Sequence, residues 1–396
     1  MKVLVLSHLY PAPHHQRHLF VHEQVKALRD QGVEILVVSP TGYAPRALWR
    51  AHPRLRRRGL TPRRADIDGV AVEYPRVPVL PRQALFARSG ELFYAALRGS
   101  VARWRSMGFD LVHAHQAMPD GSAARRLAAA LDLPYVVTVH GVDVNVHLPR
   151  GGAVGAATAA VLSEAAAVAA VSGTVARRLE GIVAPNRLHV NNNGVVGLEE
   201  QAATADFVAG RRLLLSVGHL IPSKGNDLVV RALAELAGRY DDLEYAVVGE
   251  GGLRPELEAL ARTLNVGRRV HFLGRLPHDE LLALMARADV FVLPSAPEGF
   301  GLVYAEALSQ GTPVVACRDE GPADFVDDGV SGLLVPPRDL DAVVTAVDGL
   351  LADPERARTM AAAGRKRVLK LTWERNATRQ RQIYDEVLAR LHGDHR

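Results

Sequence analysis

The sequence predicts an α/β fold with two doubly wound, Rossmann-like domains that face each other across a central cleft. Short apolar or β-branched runs alternate with helix-favouring segments, which is typical of parallel sheets covered by helices on both faces. The alternation occurs in both halves of the chain, and a polar, glycine-containing segment separates them. A chain of 396 residues, 48% of them hydrophobic, is long enough for two such cores.

The first half, residues 1–196, is predicted to form one domain. Its predicted strands lie at residues 2–7, 33–39, 70–74, 111–114, 135–139 and 168–171. The predicted helices include 20–30, 84–105 and 121–131.

The second half repeats this plan after a predicted linker at residues 197–210. Its strands are predicted at residues 213–218, 243–248, 270–273, 290–293 and 313–316. We expect the second domain to span residues 211–372 and an amphipathic helix to occupy residues 373–396. Because strands within a parallel sheet end at one edge, the loops that follow them are expected to line the cleft.

Composition restricts the cellular context. The single cysteine, Cys317, follows a predicted strand and excludes a disulfide within the chain, which favours a reducing compartment. No apolar run approaches the length of a membrane span, and the first residues turn to proline and histidine too early for a signal peptide. We therefore expect a cytoplasmic protein.

The net charge of +5 is unevenly distributed, because many arginines lie between Arg46 and Arg64 without an acid among them. A solvated loop explains this segment as well as a functional patch does. The functional interpretation is peripheral contact with anionic lipid at the inner membrane face, or with a phosphorylated acceptor, with Trp49 and Leu55 as shallow anchors. Nucleic acid is disfavoured, because aromatic residues do not alternate with the arginines.

The most informative motif is a glycine-bracketed helix start between two acids, Glu298 and Glu306. A predicted strand and a turn precede it, and helix-favouring residues continue to a stop at residues 311–313. Gly299 and Gly301 allow close approach to the free amides and positive dipole at the start of the helix. The motif therefore predicts a phosphate-binding site.

The two acids are predicted to have different roles. Glu298 lies in the loop and can reach the group attached to the phosphates, whereas Glu306 lies about a turn and a half into the helix. This arrangement suits a diphosphate with sugar hydroxyls at both ends. The alternative is a polar loop glutamate and a solvated helix glutamate, but the apolar neighbours Tyr304 and Leu308 favour burial of Glu306.

The segment that begins EGFGLVYAE and continues ALSQGTPVVA resembles the Glu-x7-Glu signature of family 4 retaining glycosyltransferases of the GT-B fold. The likeness spans nearly the whole chain, including KVLVLSHLYP, the THG turn, VGHLIPSKG, VVGEG and the closing LTWERNATRQRQIYDEVL. It implies retaining transfer of a sugar from a nucleoside diphosphate sugar to an acceptor hydroxyl, with UDP favoured and GDP possible. It also implies that residues 373–396 cross back to the first domain. Neither a cofactor nor a metal is expected.

The donor site is predicted mainly from loops that follow strands of the second domain. Lys224 is expected to expose its ammonium toward the diphosphate, although a surface lysine before a helix capped by Asn226 or Asp227 is the alternative. The family usually has arginine where His219 stands, and histidine lacks the arginine fork. The predicted donor-binding residues are His219, Lys224, Gly249, Glu250, Leu273, Glu298, Phe300, Gly301, Leu302 and Glu306.

Histidines dominate the candidate residues of the first domain. His140 lies at a strand end, and the resemblance implies that it contacts the transferred sugar, so that His140, Lys224 and Glu298 form the predicted catalytic set. Asp143 is expected either to contact the acceptor or to support its loop. His113 and His115 lack further spaced metal ligands, which favours a structural or substrate-facing role.

The loop after the first strand is predicted to form the acceptor side through His14, His15 and Arg17, with an exposed polar loop as the alternative. Two other functions remain open from the sequence. One is a nucleotide-sugar epimerase of the same fold, and the other is a non-catalytic sugar-nucleotide-binding protein.

Overall fold

A computed structural model describes residues 1–13, 19–43, 59–78, 86–197 and 209–393. Several predicted features lie outside these described residues. They are the acceptor-side residues His14, His15 and Arg17, most of the basic segment from Arg46 to Arg64, and most of the predicted linker 197–210.

The chain divides into two compact units. The first unit comprises Met1–Gly194 together with Trp373–Arg396, and the second comprises Val195–Thr372. The C-terminal helix is therefore part of the first unit's core.

The strands are short and mostly buried. In chain order they are β1 (Lys2–Leu6), β2 (Glu34–Val38), β3 (Thr41–Tyr43), β4 (Arg64–Ile67), β5 (Val70–Glu73), β6 (Arg76–Pro78), β7 (Leu111–His115), β8 (Tyr135–Val139), β9 (Ala167–Ala170), β10 (Leu188–Val190), β11 (Arg212–Val217), β12 (Leu243–Val248), β13 (Val270–Gly274), β14 (Val290–Val292), β15 (Val314–Cys317) and β16 (Leu333–Val335).

The helices alternate with these strands. In chain order they are α1 (Leu19–Asp30), α2 (Ser89–Leu97), α3 (Val101–Met107), α4 (Ser122–Leu131), α5 (Gly152–Glu164), α6 (Gly173–Arg177), α7 (Asn226–Leu236), α8 (Arg254–Thr263), α9 (His278–Arg287), α10 (Leu302–Ser309), α11 (Leu340–Ala352), α12 (Pro354–Val368) and α13 (Trp373–Gly393).

Each unit is built around a largely parallel sheet. The first has the strand order β10-β9-β8-β7-β1-β2-β5-β4, in which only the β4–β5 pairing is antiparallel, and β3 pairs with β6 beside it. The second has the order β13-β12-β11-β14-β15-β16 and is parallel throughout. The predicted α/β class with two Rossmann-like domains is confirmed.

The C-terminal helix α13 packs into the core of the first unit. Its buried face contributes Ile383, Tyr384 and Val387 to a cluster that includes Val3 and Leu111. A continuous apolar stripe on a helix that is otherwise rich in charge explains this placement.

The structure differs from the sequence prediction where local signals are weak. The predicted helix at residues 84–105 is two helices, α2 and α3, separated by a tight turn at Arg98–Ser100 that contains a glycine. Strands β3, β4, β6, β10 and β16 were not predicted, because each has three or four residues and lacks a long apolar run. Among the described helices, none has both the length and the low charge that crossing a bilayer requires.

Candidate functional site

In the second unit, the candidate site lies at the carboxyl ends of adjacent strands. The loop after β11, at the centre of the sheet, lies between the loops after β12 and β14, because β11 pairs with both strands. The loop after β15 is next along this edge. Parallel pairing therefore gathers three of the loops predicted to surround a donor, those after β11, β12 and β14, together with the loop after β15.

Glycines let two of these loops touch through their backbones. A Cβ on Gly249, which has φ of 137°, would lie 1.9 Å from the carbonyl oxygen of Gly218. A Cβ on Gly251 would lie 2.2 Å from the carbonyl oxygen of Leu220. No side chain fits at either position without moving the neighbouring backbone.

An ion pair joins the loop after β11 to the loop after β14. Lys224 Nζ lies 2.5 Å from Glu298 Oε2, and the side chains are only 19% and 15% exposed, respectively. Ser295 also donates to Glu298 Oε2 at 3.1 Å, and the Gly299 amide donates to Oε1 at 3.2 Å. The sequence predicted an exposed ammonium, and this was wrong because the fold places Lys224 against a carboxylate 74 residues away.

The side-chain cap that the alternative interpretation of Lys224 requires for α7 is absent. Gly225, with φ of 68°, precedes the helix instead, and the structure gives no side-chain capping hydrogen bond. Asn226 is buried and donates to the Tyr245 hydroxyl at 3.1 Å, while Asp227 pairs with Arg338 at 2.8 Å. The start of α7 is thus held by contacts with β12 and with Arg338, which precedes α11.

Glu320 is a site residue that the sequence analysis missed. Its Oε2 accepts from the Glu298 amide at 2.7 Å, and the Gly321 amide donates to the Glu298 carbonyl at 3.2 Å. A Cβ on Gly321 would lie 2.5 Å from Phe300 Cα, so the two loops are in backbone contact. The available signal was the polar turn with glycine and proline directly after β15, at the same sheet edge.

The start of helix α10 has amides without an acceptor among the described residues. Gly301, with φ of 86°, precedes Leu302, and no side chain caps the helix. Within the described part of the chain, no backbone carbonyl accepts from the amides of Leu302 and Val303. Phe300 is buried and packs on Phe325 with ring centroids 5.2 Å apart. The loop is therefore rigidly placed while its amides keep their capacity to donate.

Glu306 carries a perturbed carboxyl group. Its side chain is partly buried on α10, and this burial raises the pKa of Glu306 to about 7. No hydrogen bond or ion pair links its carboxyl to another described residue. Such a carboxylate can accept hydrogen bonds from a ligand's hydroxyl groups.

The remaining predicted donor residues lie along the ends of β11, β12 and β13. His219 is exposed, and its Nδ1 lies 3.4 Å from the Glu250 carbonyl oxygen. The Glu250 side chain pairs with Arg275 at 3.1 Å, and Leu273 is partly buried within β13. His219 and Lys224 are the basic residues among the predicted donor-binding residues. His219 is exposed, whereas the Lys224 side chain is largely buried.

In the first unit, stacked histidines occupy the ends of β7 and β8. His140 Nε2 lies 3.0 Å from His115 Nδ1, and the two rings are 5.3 Å apart with planes at 13°. His113 contacts Thr138 at 2.8 Å and the Tyr384 hydroxyl at 2.6 Å. Burial lowers the pKa of His113 to about 3 and that of His115 well below its ordinary value. Both imidazoles are therefore neutral near pH 7.

Among the residues that the structure describes, these histidines have no partners with which to form a metal centre. Nowhere in the described ranges do three His, Cys, Asp or Glu side chains lie together as a metal site requires.

Asp143 is fully buried. Its Oδ1 accepts from the Ala117 amide at 2.9 Å, and His147 Nδ1 lies 3.5 Å from the same oxygen. Of its two predicted roles, this geometry favours support of the neighbouring loops.

The sequence analysis also missed a contact between His8 and Asp120. His8 follows β1, and its Nδ1 lies 2.6 Å from Oδ2 of Asp120, which follows β7. The His8 amide donates to Asp120 Oδ1 at 3.1 Å. The residues are 112 positions apart, so no local pattern could reveal the pair.

Two family models match the chain in succession. The model of Glycosyltransferase Family 4 matches residues 19–196, and the model of Glycosyl transferases group 1 matches residues 199–367.

Among curated proteins, the chain is similar to the glycogen synthase of Mycobacterium tuberculosis, with 33% identity over 72% of this chain and 70% of that protein. It is also 43% identical to the GDP-mannose-dependent alpha-(1-6)-phosphatidylinositol monomannoside mannosyltransferase of Mycolicibacterium smegmatis. That match covers 39% of this chain and spans 42% of the relative's length.

Among solved structures, sucrose-phosphate synthase from Thermosynechococcus elongatus superimposes with a TM-score of 0.80. The sequence identity is 24%, and the match covers 98% of this chain and 100% of that one. At this identity the likeness concerns the fold, which is GT-B.

Replacing Gly249 by alanine is expected to lower the unfolding temperature. The new methyl group would overlap the Gly218 carbonyl oxygen and disfavour the φ of 137°. Thermal unfolding followed by circular dichroism would measure the change. Gly252→Ala is the matched control, because a Cβ there meets no atom within 4 Å. Equal unfolding temperatures for the two variants would contradict the predicted close approach.

Glu306→Gln is expected to alter how stability depends on pH. The folded-state pKa of Glu306, about 7, lies above the ordinary value of 4.5, so the folded protein binds more protons between these values. The wild type should therefore lose stability relative to the variant as pH rises through this window. Urea unfolding at pH 5 and pH 8 would measure the difference, with exposed Glu256→Gln as the control. Parallel pH dependences for wild type and Glu306→Gln would exclude a raised pKa.

Proposed function

The chain belongs to family 4 of the glycosyltransferases, and on this premise we propose that it transfers a sugar from a nucleoside diphosphate sugar to an acceptor hydroxyl with retention of anomeric configuration. The observation that carries the proposal is the largely buried Lys224–Glu298 pair beside the uncapped start of α10. A cation, a carboxylate and uncapped helix amides at one edge of a sheet suit a diphosphate that bears a sugar.

The diphosphate is proposed to bind between Lys224 and the amides around Phe300, Gly301 and Leu302. In the structure the ammonium is compensated by Glu298 at 2.5 Å. A phosphate oxygen offers the same ammonium a second negative partner, and the helix dipole adds attraction. Negative charge accumulates on the diphosphate as its bond to the sugar breaks, so these groups would bind the transition state more tightly than the donor.

The transferred sugar is proposed to contact Glu298 and His140. Glu298 already accepts from Ser295 and Gly299, which fixes the orientation of its carboxylate. Fixed carboxylate oxygens can accept hydrogen bonds from sugar hydroxyls and position the anomeric carbon. His140 is held by its contact with neutral His115 and would meet the sugar from the end of β8.

The nucleoside is proposed to lie toward Glu306 and the ends of β12 and β13. The ribose hydroxyls would donate to the Glu306 carboxylate, which has no protein partner among the described residues. Gly249, Glu250 and Leu273 would line the base, and His219 would reach a phosphate from the exposed rim. Binding of donors to an ionised Glu306 should lower its pKa.

We propose that the reaction needs neither a metal nor another cofactor, because Lys224 and the helix amides supply positive charge to the leaving group. UDP is the preferred nucleotide, with GDP as the competitor named for the mannosyltransferase relative. The acceptor is a carbohydrate, lipid-linked or small-molecule hydroxyl. A cytoplasmic location, with peripheral membrane contact through the basic segment from Arg46 to Arg64, completes the proposal.

A donor screen followed by product analysis tests this function. UDP-glucose, GDP-mannose and ADP-glucose are compared by thermal shift, since a ligand of the folded state raises the melting temperature. The stabilising donor is then incubated with sugar and inositol acceptors in EDTA, and early products are examined by proton NMR. We expect an acceptor-dependent glycoside with the donor's anomeric configuration. An inverted product, or a rearranged nucleotide sugar formed without acceptor, would contradict the proposal.

A further inference from the structure

The second unit carries a groove of about 880 Å³ between helix α8 and strand β13. We propose that this groove is a docking site for an acidic, extended segment of another protein. The segment adds a strand to β13 and places its carboxylates on arginines of the groove. This inference goes beyond the proposed glycosyl transfer and does not rest on it.

Strand β13 is the outer strand of its sheet. It pairs with β12, and the structure describes no strand on its other side. Alternate residues of a strand direct their backbone amides and carbonyls to opposite neighbours, so an outer strand offers a row of these groups to an added strand. The five residues Val270–Gly274 suit a segment of similar length. The groove therefore offers the backbone partners that an extended polypeptide uses.

The arginines give the groove a charge of one sign. Four arginines and one acid among its described lining residues leave an excess of three positive charges: Arg254, Arg262, Arg268, Arg269 and Glu258. Arg254 is paired, because its Nε lies 2.8 Å from Glu258 Oε1 on the same helix. Arg262 and Arg268 are exposed, and no acid of the described residues pairs with them. The groove therefore attracts carboxylates.

The fold turns one side of α8 toward β13. Arg254 lies over the ring of Phe272, with Cζ 5.5 Å from the ring centroid. Glu258 and Arg262 follow Arg254 at intervals of four residues, so the three side chains lie on the same side of the helix. This row runs along about 12 Å of the helix axis, comparable with the length of a strand of four residues. The arginines are thus placed within reach of a strand added to β13.

A buried acid beside β13 is already paired and does not cancel this charge. The side chain of Glu244 on β12 is 2% exposed. Its carboxyl contacts Arg211, and His271 Nε2 lies 2.8 Å from its Oε2. The positive charge of the groove therefore remains available to a partner.

The sign of the charge and the free edge together select the occupant. A second copy of this chain at the same edge would bring like charges together, which disfavours pairing of β13 with itself. A nucleic acid would meet the positive charge but would not use the strand edge, and the Phe272 ring that could stack on a base lies beneath Arg254. An acidic polypeptide strand uses both features.

Strand geometry predicts the spacing of the acids in the partner. Successive side chains of a strand point to opposite faces of the sheet, so every second residue of an added strand faces α8. Acids at alternate positions would therefore all meet the arginines. In a contiguous run of acids, some carboxylates would point to the other face.

The test compares two short peptides of equal composition, Thr-Glu-Thr-Glu-Thr-Glu-Thr and Thr-Thr-Glu-Glu-Glu-Thr-Thr, each with a neutral fluorophore. Fluorescence anisotropy measures their binding to the full chain at low ionic strength, where screening is weak. We expect the alternating peptide to bind about 3-fold more tightly or better, because it directs one more carboxylate to the arginines.

Two double variants locate the binding site. Arg262→Met with Arg268→Met removes two exposed charges of the groove and should weaken binding of the alternating peptide about 10-fold. Arg358→Met with Lys366→Met removes two exposed charges of α12, outside the groove, and should bind as the wild type does. Thermal unfolding verifies that both variants are folded.

Hydrogen exchange followed by mass spectrometry tests the strand edge. The bound alternating peptide should slow amide exchange across Val270–Gly274, because the added strand accepts from amides of β13. N-methylation of the peptide at one alternate set of amides should weaken binding more than methylation of the other set, since only one set faces β13.

Preference for alternating acids, weaker binding in the groove variant and slower exchange in β13 together support the docking site. Equal affinity for the two peptides, or unchanged affinity in the folded groove variant, would overturn it. Tighter binding of a single-stranded oligothymidylate without slower exchange in β13 would also overturn it, in favour of nucleic acid. A homodimer that buries β13 and binds neither peptide would overturn it as well.

Discussion

The ion pair between Lys224 and Glu298 is the interaction on which the proposed donor site depends. It connects the loops after β11 and β14, and both side chains are largely removed from water. Loss of either partner of an enclosed ion pair leaves an uncompensated charge, which costs about 3–5 kcal/mol at fully buried sites and less here, where both groups keep some exposure. The backbone of Glu298 is held in turn by Glu320 and Gly321. The pair thus keeps a cation beside the open helix start until an anionic ligand competes for it.

Parallel strand order explains why residues far apart in the chain meet at these sites. Lys224 and Glu298 follow β11 and β14, which are adjacent in the second sheet, just as His8 and Asp120 follow adjacent β1 and β7 in the first. In both sheets the apolar strands are buried, and polar groups are concentrated where the strands end. The same topology therefore builds both side-chain contacts from loops that share no local sequence pattern.

The sequence predicted features that repeat along the chain and missed those that depend on strand order. Apolar runs identified the longer strands, and the glycine-bracketed segment identified Glu298, Glu306 and the helix start. The partner of Lys224 was not predictable, because it lies 74 residues away. The contact between His8 and Asp120 was missed for the same reason, because these residues are 112 positions apart. Short strands such as β16 were missed because pairing with a neighbour, rather than a long apolar run, defines them.

Calorimetric titration of UDP and GDP into wild type and Lys224→Met tests the central claim most directly. Loss of a charge-assisted contact of about 1.5–3 kcal/mol should weaken binding of the preferred diphosphate roughly 10-fold or more. The exposed control Lys366→Met should bind as the wild type does. Unchanged diphosphate affinity in folded Lys224→Met would contradict the assignment of this enclosed cation to the donor.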